Sequence, residues 1–467
     1  MAESIVLLDV ADLTLKRAAN QILHQVSLQI RSDQCWAVVG PIGSGKTTFL
    51  QALAGNLSVR PGMIQRHSAV AFVSFKEESR QFSYGSYFYQ QRYQATMSDD
   101  SLSLRTYLQL PETPATNDLI RQLGLEPLLD LSFMKLSNGQ TRKARIAKAL
   151  VKRPPLLLLD NPFVGLDSAS RHDLTTWLSG MAERGSAMVL VTEPTDIPAF
   201  ITHVLRLDDE GSWAGPKETY KPVDEASPNG PIPSLQTAYK EPDFTTIFQL
   251  NDITVRYGDR LILDDLNWTV EAGQKWALLG PNGAGKSVLL SLLYGDHPQA
   301  YANDVRVFGH RRGKSGESIW DVKRRIGFVS PELHLYFPQQ LTARQVIQSG
   351  LTDTLVVPRT IAVEAETDLA ALAHYFGVTP LLDRSFGTLS TGEQRLTLFI
   401  RALIKNPPVL LLDEPFQAFD KRSICLAREL IDTLQQTGLL FVTHDRAELP
   451  ATVDHVFALH RPAPTGP

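Results

Sequence analysis

Cysteine is nearly absent from the 467 residues: Cys35 and Cys425 are the two. Both stand in apolar stretches of different halves. They make neither a disulfide framework nor a cysteine metal site, so a reducing compartment is expected. Long hydrophobic runs are missing too. The longest, such as Leu156 to Leu159, fall far short of the roughly 20 residues that a membrane helix needs. Any role in transport therefore calls for a separate membrane partner. The opening Met-Ala-Glu-Ser-Ile-Val has no basic region ahead of an apolar core and does not read as a signal peptide. Nor does one sign of charge dominate. A net charge of −4 supplies no global attraction to nucleic acid or to an anionic membrane.

What is present suits globular domains with full cores: 43% of residues are hydrophobic and 21% charged. The length allows about three domains, or two large ones. Two glycine-rich stretches organise the chain, Gly40-Pro-Ile-Gly43-Ser-Gly45-Lys46-Thr47 and Gly280-Pro-Asn282-Gly283-Ala-Gly285-Lys286-Ser287. Both fit G-x-x-x-x-G-K-[ST]. The glycines let successive backbone N–H groups turn onto a phosphate, the lysine reaches the β- and γ-phosphates, and the next hydroxyl holds Mg²⁺. Thr48 follows in the first stretch. Each loop comes after an apolar run, Trp36–Val39 or Trp276–Leu279, and opens an apolar-periodic helix ending at Gly55 or Gly295. That strand–loop–helix context puts phosphate at a helix N-terminus.

The start of each unit repeats with the same offset of 240 residues as the two loops. Leu13-Thr-Leu15 matches Ile253-Thr-Val255, and Ile22-Leu23 matches Ile262-Leu263. So long a period means a duplicated domain, since solenoid repeats are much shorter. Alternating apolar residues open each unit as strands. A helix-rich middle follows, then strands at Leu156–Leu159 and Val189–Val191 with a helical pattern between them. Such alternation predicts an α/β sandwich with a parallel sheet. The units are placed at residues 1–207 and 244–467. Between them, residues 208–243 read as an acidic linker rich in Pro, Gly and Ser, without strand or helix period, spanning roughly 30–35 Å as a coil.

Two stretches stay open. Tyr84–Tyr93 is either an aromatic docking surface or an insertion near the first nucleotide site. His310–Lys314 with Lys323–Arg325 is basic, and either touches phosphates or lipid head groups or forms a solvated face.

Phosphate-loop ATPases place an acidic residue after a hydrophobic strand to hold Mg²⁺. Asp160 and Asp413 both fit. The next residue differs. Glu414 can polarise an attacking water as general base. Asn161 is nearly isosteric but accepts no proton.

Leu136-Ser137-Asn138-Gly139-Gln140 and Leu389-Ser390-Thr391-Gly392-Glu393 resemble the signature loop of ATP-binding-cassette (ABC) proteins. Asp167 and Asp420 match that family's aspartate loop. The resemblance covers nearly the whole chain outside the linker. It implies two tandem nucleotide-binding domains of the phosphate-loop type, each with a parallel-sheet core, an antiparallel β part and a helical subdomain. They would bind two ATP with Mg²⁺ by closing head-to-tail, each ATP between one domain's phosphate loop and the other's signature loop.

The resemblance also makes the sites unequal. The Lys286 site has Ser287, Asp413, Glu414 and His444, with Tyr257 where the family stacks an aromatic on adenine. It borrows Ser137 and Gly139. The Lys46 site, with Thr47 and Asp160, borrows Ser390 and Gly392. There Arg17 replaces the aromatic, Asn161 the base and Glu193 the histidine. At the family's glutamine position the units carry Phe75 and Pro331, the latter followed by Glu332.

Among tandem ABC classes, a basic helical arm, zinc cysteines and iron–sulfur cysteines are all lacking, so ribosome and nucleic-acid partners are not favoured. Gly295–Asp304, Phe308–Gly313 and Ile319–Lys323 resemble the tandem ABC ATPases associated with molybdenum (molybdate) transport, also named photorepair proteins. The expectation is an ATPase in the cytoplasm, peripheral at the inner membrane face, serving a permease subunit and holding no solute site of its own. The alternative is a permease-independent switch acting on ribosomes, nucleic acid or a regulator.

Overall fold

The computed structural model describes residues 4–17, 20–60, 63–75, 102–111, 113–133, 136, 138–164, 166, 168–194, 196–208, 211–222, 230–237, 244–258, 260–281, 283–314, 316, 318–331, 333–335 and 337–460. Tyr84–Tyr93, Ser137, Asp167, Asn282 and Glu332 lie outside them. No helix among the described residues is long and apolar enough to cross a membrane. The chain divides into two compact units, the first running to Asp224 and the second from Glu225 onward.

In the first unit, β1 (Val6–Arg17) and β2 (Asn20–Arg31) pair as an antiparallel hairpin joined by β4 (Ile64–Arg66). β3 (Cys35–Val39) leads into α1 (Lys46–Ala54). β5 (Val70–Ser74) is followed by α2 (Leu104–Leu108), α3 (Pro114–Gln122) and α4 (Asn138–Leu150). Then come β6 (Leu156–Asp160), α5 (Ser168–Glu183), β7 (Ala187–Val191), β8 (His203–Asp208) and β9 (Gly211–Pro216). The main sheet runs β5-β6-β7-β3-β8-β9. β3, β6 and β7 are buried along their whole length. Buried, near-continuous apolar strands of this kind suit a parallel sheet covered on both faces.

The second unit repeats this order. β10 (Thr246–Tyr257) and β11 (Arg260–Glu271) pair with β13 (Asp304–Val307) and β14 (His310–Arg311). The parallel sheet is β15-β16-β17-β12-β18, from β12 (Lys275–Leu279), β15 (Ile326–Val329), β16 (Val409–Asp413), β17 (Gly438–Val442) and β18 (His455–Ala458). Its helices are α6 (Lys286–Tyr294), α7 (Ile319–Arg325), α8 (Ala343–Gln348), α9 (Val363–Tyr375), α10 (Thr391–Leu403) and α11 (Lys421–Thr433).

Three sequence expectations need correction. The linker is not without strand period: β9 runs antiparallel to β8 and closes the first unit's sheet, so the boundary at 207 cuts a hairpin. Trp213 and Tyr220 pack there, 5.7 Å between ring centroids, and that aromatic pair was the missed signal. Nor is the linker's far half a free coil. The Gln236 and Thr237 N–H groups donate to the buried Asp368 carboxylate at 2.7 and 2.8 Å. Asn406 donates to the Thr237 carbonyl at 2.9 Å, and Leu235 packs on the second unit's core. The basic stretch is largely used internally. Arg312 is 2% exposed. Lys323 pairs with the buried Asp296 at 2.7 Å, and Arg306 and Arg311 pair with Asp304. Of the cysteines, Cys35 is buried, and its thiol is pushed up to about 11 by that burial. Cys425 on α11 is exposed.

Replacing Asp368 with alanine removes the acceptor for the Gln236 and Thr237 N–H groups of this strap. The expected cost is about 1–3 kcal/mol in chemical denaturation, with new protease cleavage near residue 236. Unchanged stability and cleavage would contradict the anchoring role.

Candidate functional site

Each phosphate loop sits where a central strand hands over to a helix. Gly45 and Gly285 are the N-caps of α1 and α6 in the left-handed region, φ 89° and 99°. A side chain there would be strained. A Cβ on Gly280 would lie 2.5 Å from the Leu459 carbonyl, so the residue just after β18 packs directly on the loop. A Cβ on Gly285 would meet Ile262 and Leu263 of β11 at 3.1 Å. The antiparallel part thus backs the loop. Gly43 and Gly283 also have positive φ, and Thr48 lies in the first turn of α1. Gly55 and Gly295 cap the helix ends in the left-handed conformation, as the helix periodicity predicts.

The lysines fold onto their own loops. Lys286 Nζ donates to the Gly280 carbonyl at 2.6 Å and to that of Pro281 at 3.2 Å. Lys46 makes the same pair with Gly40 and Pro41, at 2.5 and 2.7 Å. These carbonyls hold an ammonium that can turn to phosphate oxygens. Burial lowers the Lys286 pKa, opposed by the negative charges of Glu414 and Asp413.

The strand ends bring a hydroxyl to a carboxylate in both units. Thr47 Oγ1 donates to Asp160 at 3.0 Å, and Ser287 Oγ to Asp413 at 3.5 Å. Hydroxyl and carboxylate oxygens at a helix start are the hard donor set that Mg²⁺ takes.

The next residue separates the units. Glu414 is left-handed, φ 43°, with its N–H donating to the Val442 carbonyl at 2.8 Å. Its carboxylate lies 3.6 Å from His444 Nδ1. Burial raises the Glu414 pKa, but the hydrogen bond and charge of His444, with Lys286 and Arg395, outweigh it and hold the carboxyl below its ordinary range. The same hydrogen bond raises His444. Each partner thus favours the charged form of the other. Asn161 has the same left-handed backbone, φ 56°, yet its Nδ2 donates to Asp160 Oδ1 at 3.1 Å. That oxygen also takes the Thr47 hydroxyl. Glu193 lies near Arg171, whose pKa is lowered by burial and supported by the Glu193 charge. The Arg17 side chain lies outside the described residues.

Ser390 caps α10: its Oγ accepts the Glu393 N–H, and the Glu393 carboxylate accepts the Ser390 N–H. Gly392 lies in that first turn. In the first unit Gly139 is buried, and a Cβ there would meet Ser170 at 3.1 Å. Asp420 caps α11 by accepting the Ser423 N–H at 2.7 Å.

Tyr257 ends β10, and its partner His297 was missed. The Gln299 N–H donates to His297 Nδ1 at 3.1 Å. The neutral ring therefore carries its proton on Nε2 and donates it to the Tyr257 oxygen, 2.6 Å away. Burial pushes His297 down to about 4. The only sequence signal was its place just after the Gly295 helix cap.

With this geometry in hand, the comparisons are direct. The sequence matches the ABC transporter family over residues 23–164 and 263–417. The chain belongs to that family of ATP-binding proteins, and it is a tandem ABC ATPase. It is 36% identical to the ABC transporter ATP-binding protein ModF of Escherichia coli (strain K12), over 95% of this chain and 94% of that protein. It is 33% identical to an uncharacterized ABC transporter ATP-binding protein of Schizosaccharomyces pombe, over 95% of this chain and 96% of that one. Among solved structures, ribosome-bound archaeal Pelota and ABCE1 gives a TM-score of 0.60 at 16% identity, covering 96% of this chain and 77% of the other. At that identity the likeness speaks for the fold alone.

The His297–Tyr257 pair carries a pH signature. A histidine depressed to about 4 in the fold takes up its proton first in the unfolded chain. Stability should therefore fall as pH drops from the ordinary histidine range toward 4. His297→Gln should flatten that segment of a urea-midpoint profile. An identical slope in the variant would contradict the neutral ring.

Proposed function

We propose that this tandem ATPase binds two ATP between its units, head-to-tail, and hydrolyses mainly at the site built on Lys286 and Glu414. The observation that carries the reading is the contrast at the base position. Glu414 is paired with His444 and keeps a carboxylate available to a water. Asn161 turns onto Asp160 and offers none.

In this reading Lys286 and the loop N–H groups hold the β- and γ-phosphates, and Tyr257 stacks on the adenine. Mg²⁺, held by Ser287 and Asp413, would supply charge neutralisation at the phosphates. Glu414 takes the proton of the attacking water, and His444 contacts the γ-phosphate. Ser137 and Gly139 of the first unit complete this site. The Lys46 site, with Thr47 and Asp160, holds ATP against Ser390 and Gly392 and cleaves it slowly or not at all. A missing general base costs about 10²–10⁴ in rate. Closure on ATP and reopening after cleavage then energise a transport system of the molybdate or metal type. The stroke passes through a separate membrane permease, with the chain at the cytoplasmic face. The likeness to ModF supports this partner class.

A second reading has its own support: a permease-independent switch acting on ribosomes, nucleic acid or a regulator. The positions where the family's glutamine is expected are tied inward. The Phe75 ring lies under Arg142, and the Pro331 carbonyl accepts from Arg395.

Glu414→Gln tests both layers. Steady-state turnover should fall about 10²–10⁴-fold; a variant retaining most activity would refute the assignment. The same variant, loaded with ATP and used for affinity purification, should bring down a polytopic membrane protein. Ribosomal proteins or nucleic acid in its place would favour the switch.

A further inference from the structure

Arg395 lies on α10, three residues after Gly392. Its Nη2 donates to the Pro331 carbonyl at 3.1 Å. Its Nη1 donates to the Gln417 carbonyl at 3.2 Å and also to the Gln417 side-chain oxygen. Gln417 closes the turn that begins at Glu414, its N–H donating to the Glu414 carbonyl at 3.2 Å. One planar cation therefore joins the loop after β15 to the loop that carries the base. The Pro331 carbonyl also faces His334 Nδ1 at 2.8 Å. A carbonyl only accepts, so that nitrogen donates, and both lone pairs of the oxygen are engaged.

The first unit makes the same tie from different atoms. Arg142, three residues after Gly139, donates to the Asn161 carbonyl at 3.0 Å and to that of Val164. Its guanidinium lies 4.9 Å from the centre of the Phe75 ring. Phe75 and Pro331 have no chemistry in common with glutamine or with each other. One offers an aromatic face and the other a carbonyl. A guanidinium serves both, because it stacks on rings and donates in a fixed fork.

Glu414 sits in a left-handed backbone conformation that a glutamate rarely adopts. Such a conformation persists only where its surroundings hold it. On one side the Val442 carbonyl does so; on the other, the Gln417 turn gripped by Arg395.

We propose that Arg395 is a positioning residue for Glu414: it fixes the base-bearing loop against Pro331, the position where the family's glutamine is expected. The inference rests on the reading that the Lys286 and Glu414 site carries turnover. Arg395 acts through the Pro331 and Gln417 oxygens and holds the base where it can take a proton from the attacking water. Displacing a catalytic group by about 1 Å is enough to cost about 10²-fold.

The test uses the full chain with ATP and Mg²⁺. In Arg395→Ala, kcat should fall about 10–100-fold, while KM and the affinity for a fluorescent ATP analogue stay within about threefold. Arg395→Lys keeps the charge but loses the fork, so it should recover part of kcat at the same affinity. If the alanine variant does not fold, the lysine variant decides: intermediate kcat with normal binding supports the proposal, and wild-type kcat overturns it. A folded alanine variant with wild-type kcat also overturns it, as does a loss matched by its unfolded fraction. Glu414→Gln, measured alongside, separates the two claims. If it retains turnover, the site assignment fails. If it is inactive while Arg395→Ala is not, the positioning claim alone fails.

Discussion

A helix that begins where a buried strand ends is the constraint on which both units depend. β3 and β12 lie inside their sheets, flanked on both sides by parallel neighbours. Their backbone groups are therefore paired, and the chain emerges at a set point and direction. The left-handed glycine then starts the helix within one turn, with its first N–H groups unsatisfied and pointing outward. Everything chemical in the unit gathers at that end of the sheet, because β6 and β16 run parallel to these strands and end at Asp160 and Asp413. An antiparallel strand in their place would have carried the carboxylate to the opposite edge.

The two units share this frame and differ in what the carboxylate strand is followed by. Glu414 and Asn161 have nearly the same backbone conformation, so the difference is side-chain chemistry alone. A carboxylate next to Asp413 is repelled by it and lies beside His444 instead. An amide next to Asp160 is attracted to it and donates.

Much of this was legible in the sequence, and the part that was not has a common cause. The phosphate loops, the acidic strand ends and the helix-capping serine of the second signature are local patterns, each set by residues within a few positions. The loops and the acidic strand ends were read on the elements that carry them, whereas the serine was read from the family resemblance and its capping role comes from the structure. The strand Gly211–Pro216 escaped because glycine, serine and proline hide a period-two pattern whose inward residue is Trp213. The strap at 230–237 escaped because its order comes from Asp368 and Asn406, more than a hundred residues away. Arg395 was unremarkable in a helix with many polar residues; its meaning lies in carbonyls of two distant loops. The run from His310 to Lys314 looked like surface because charge usually is, but Arg312 is buried.

The central claim is that the two sites are chemically unequal, and the nucleotide left on the protein reports it most directly. Wild-type protein would be loaded with radiolabelled ATP and Mg²⁺, allowed a few turnovers, passed rapidly through a desalting column, and its bound nucleotides counted and identified. The account predicts up to two nucleotides per chain, with uncleaved ATP persisting on one site while the other holds ADP. Two ADP per chain, formed at matching rates, would contradict it.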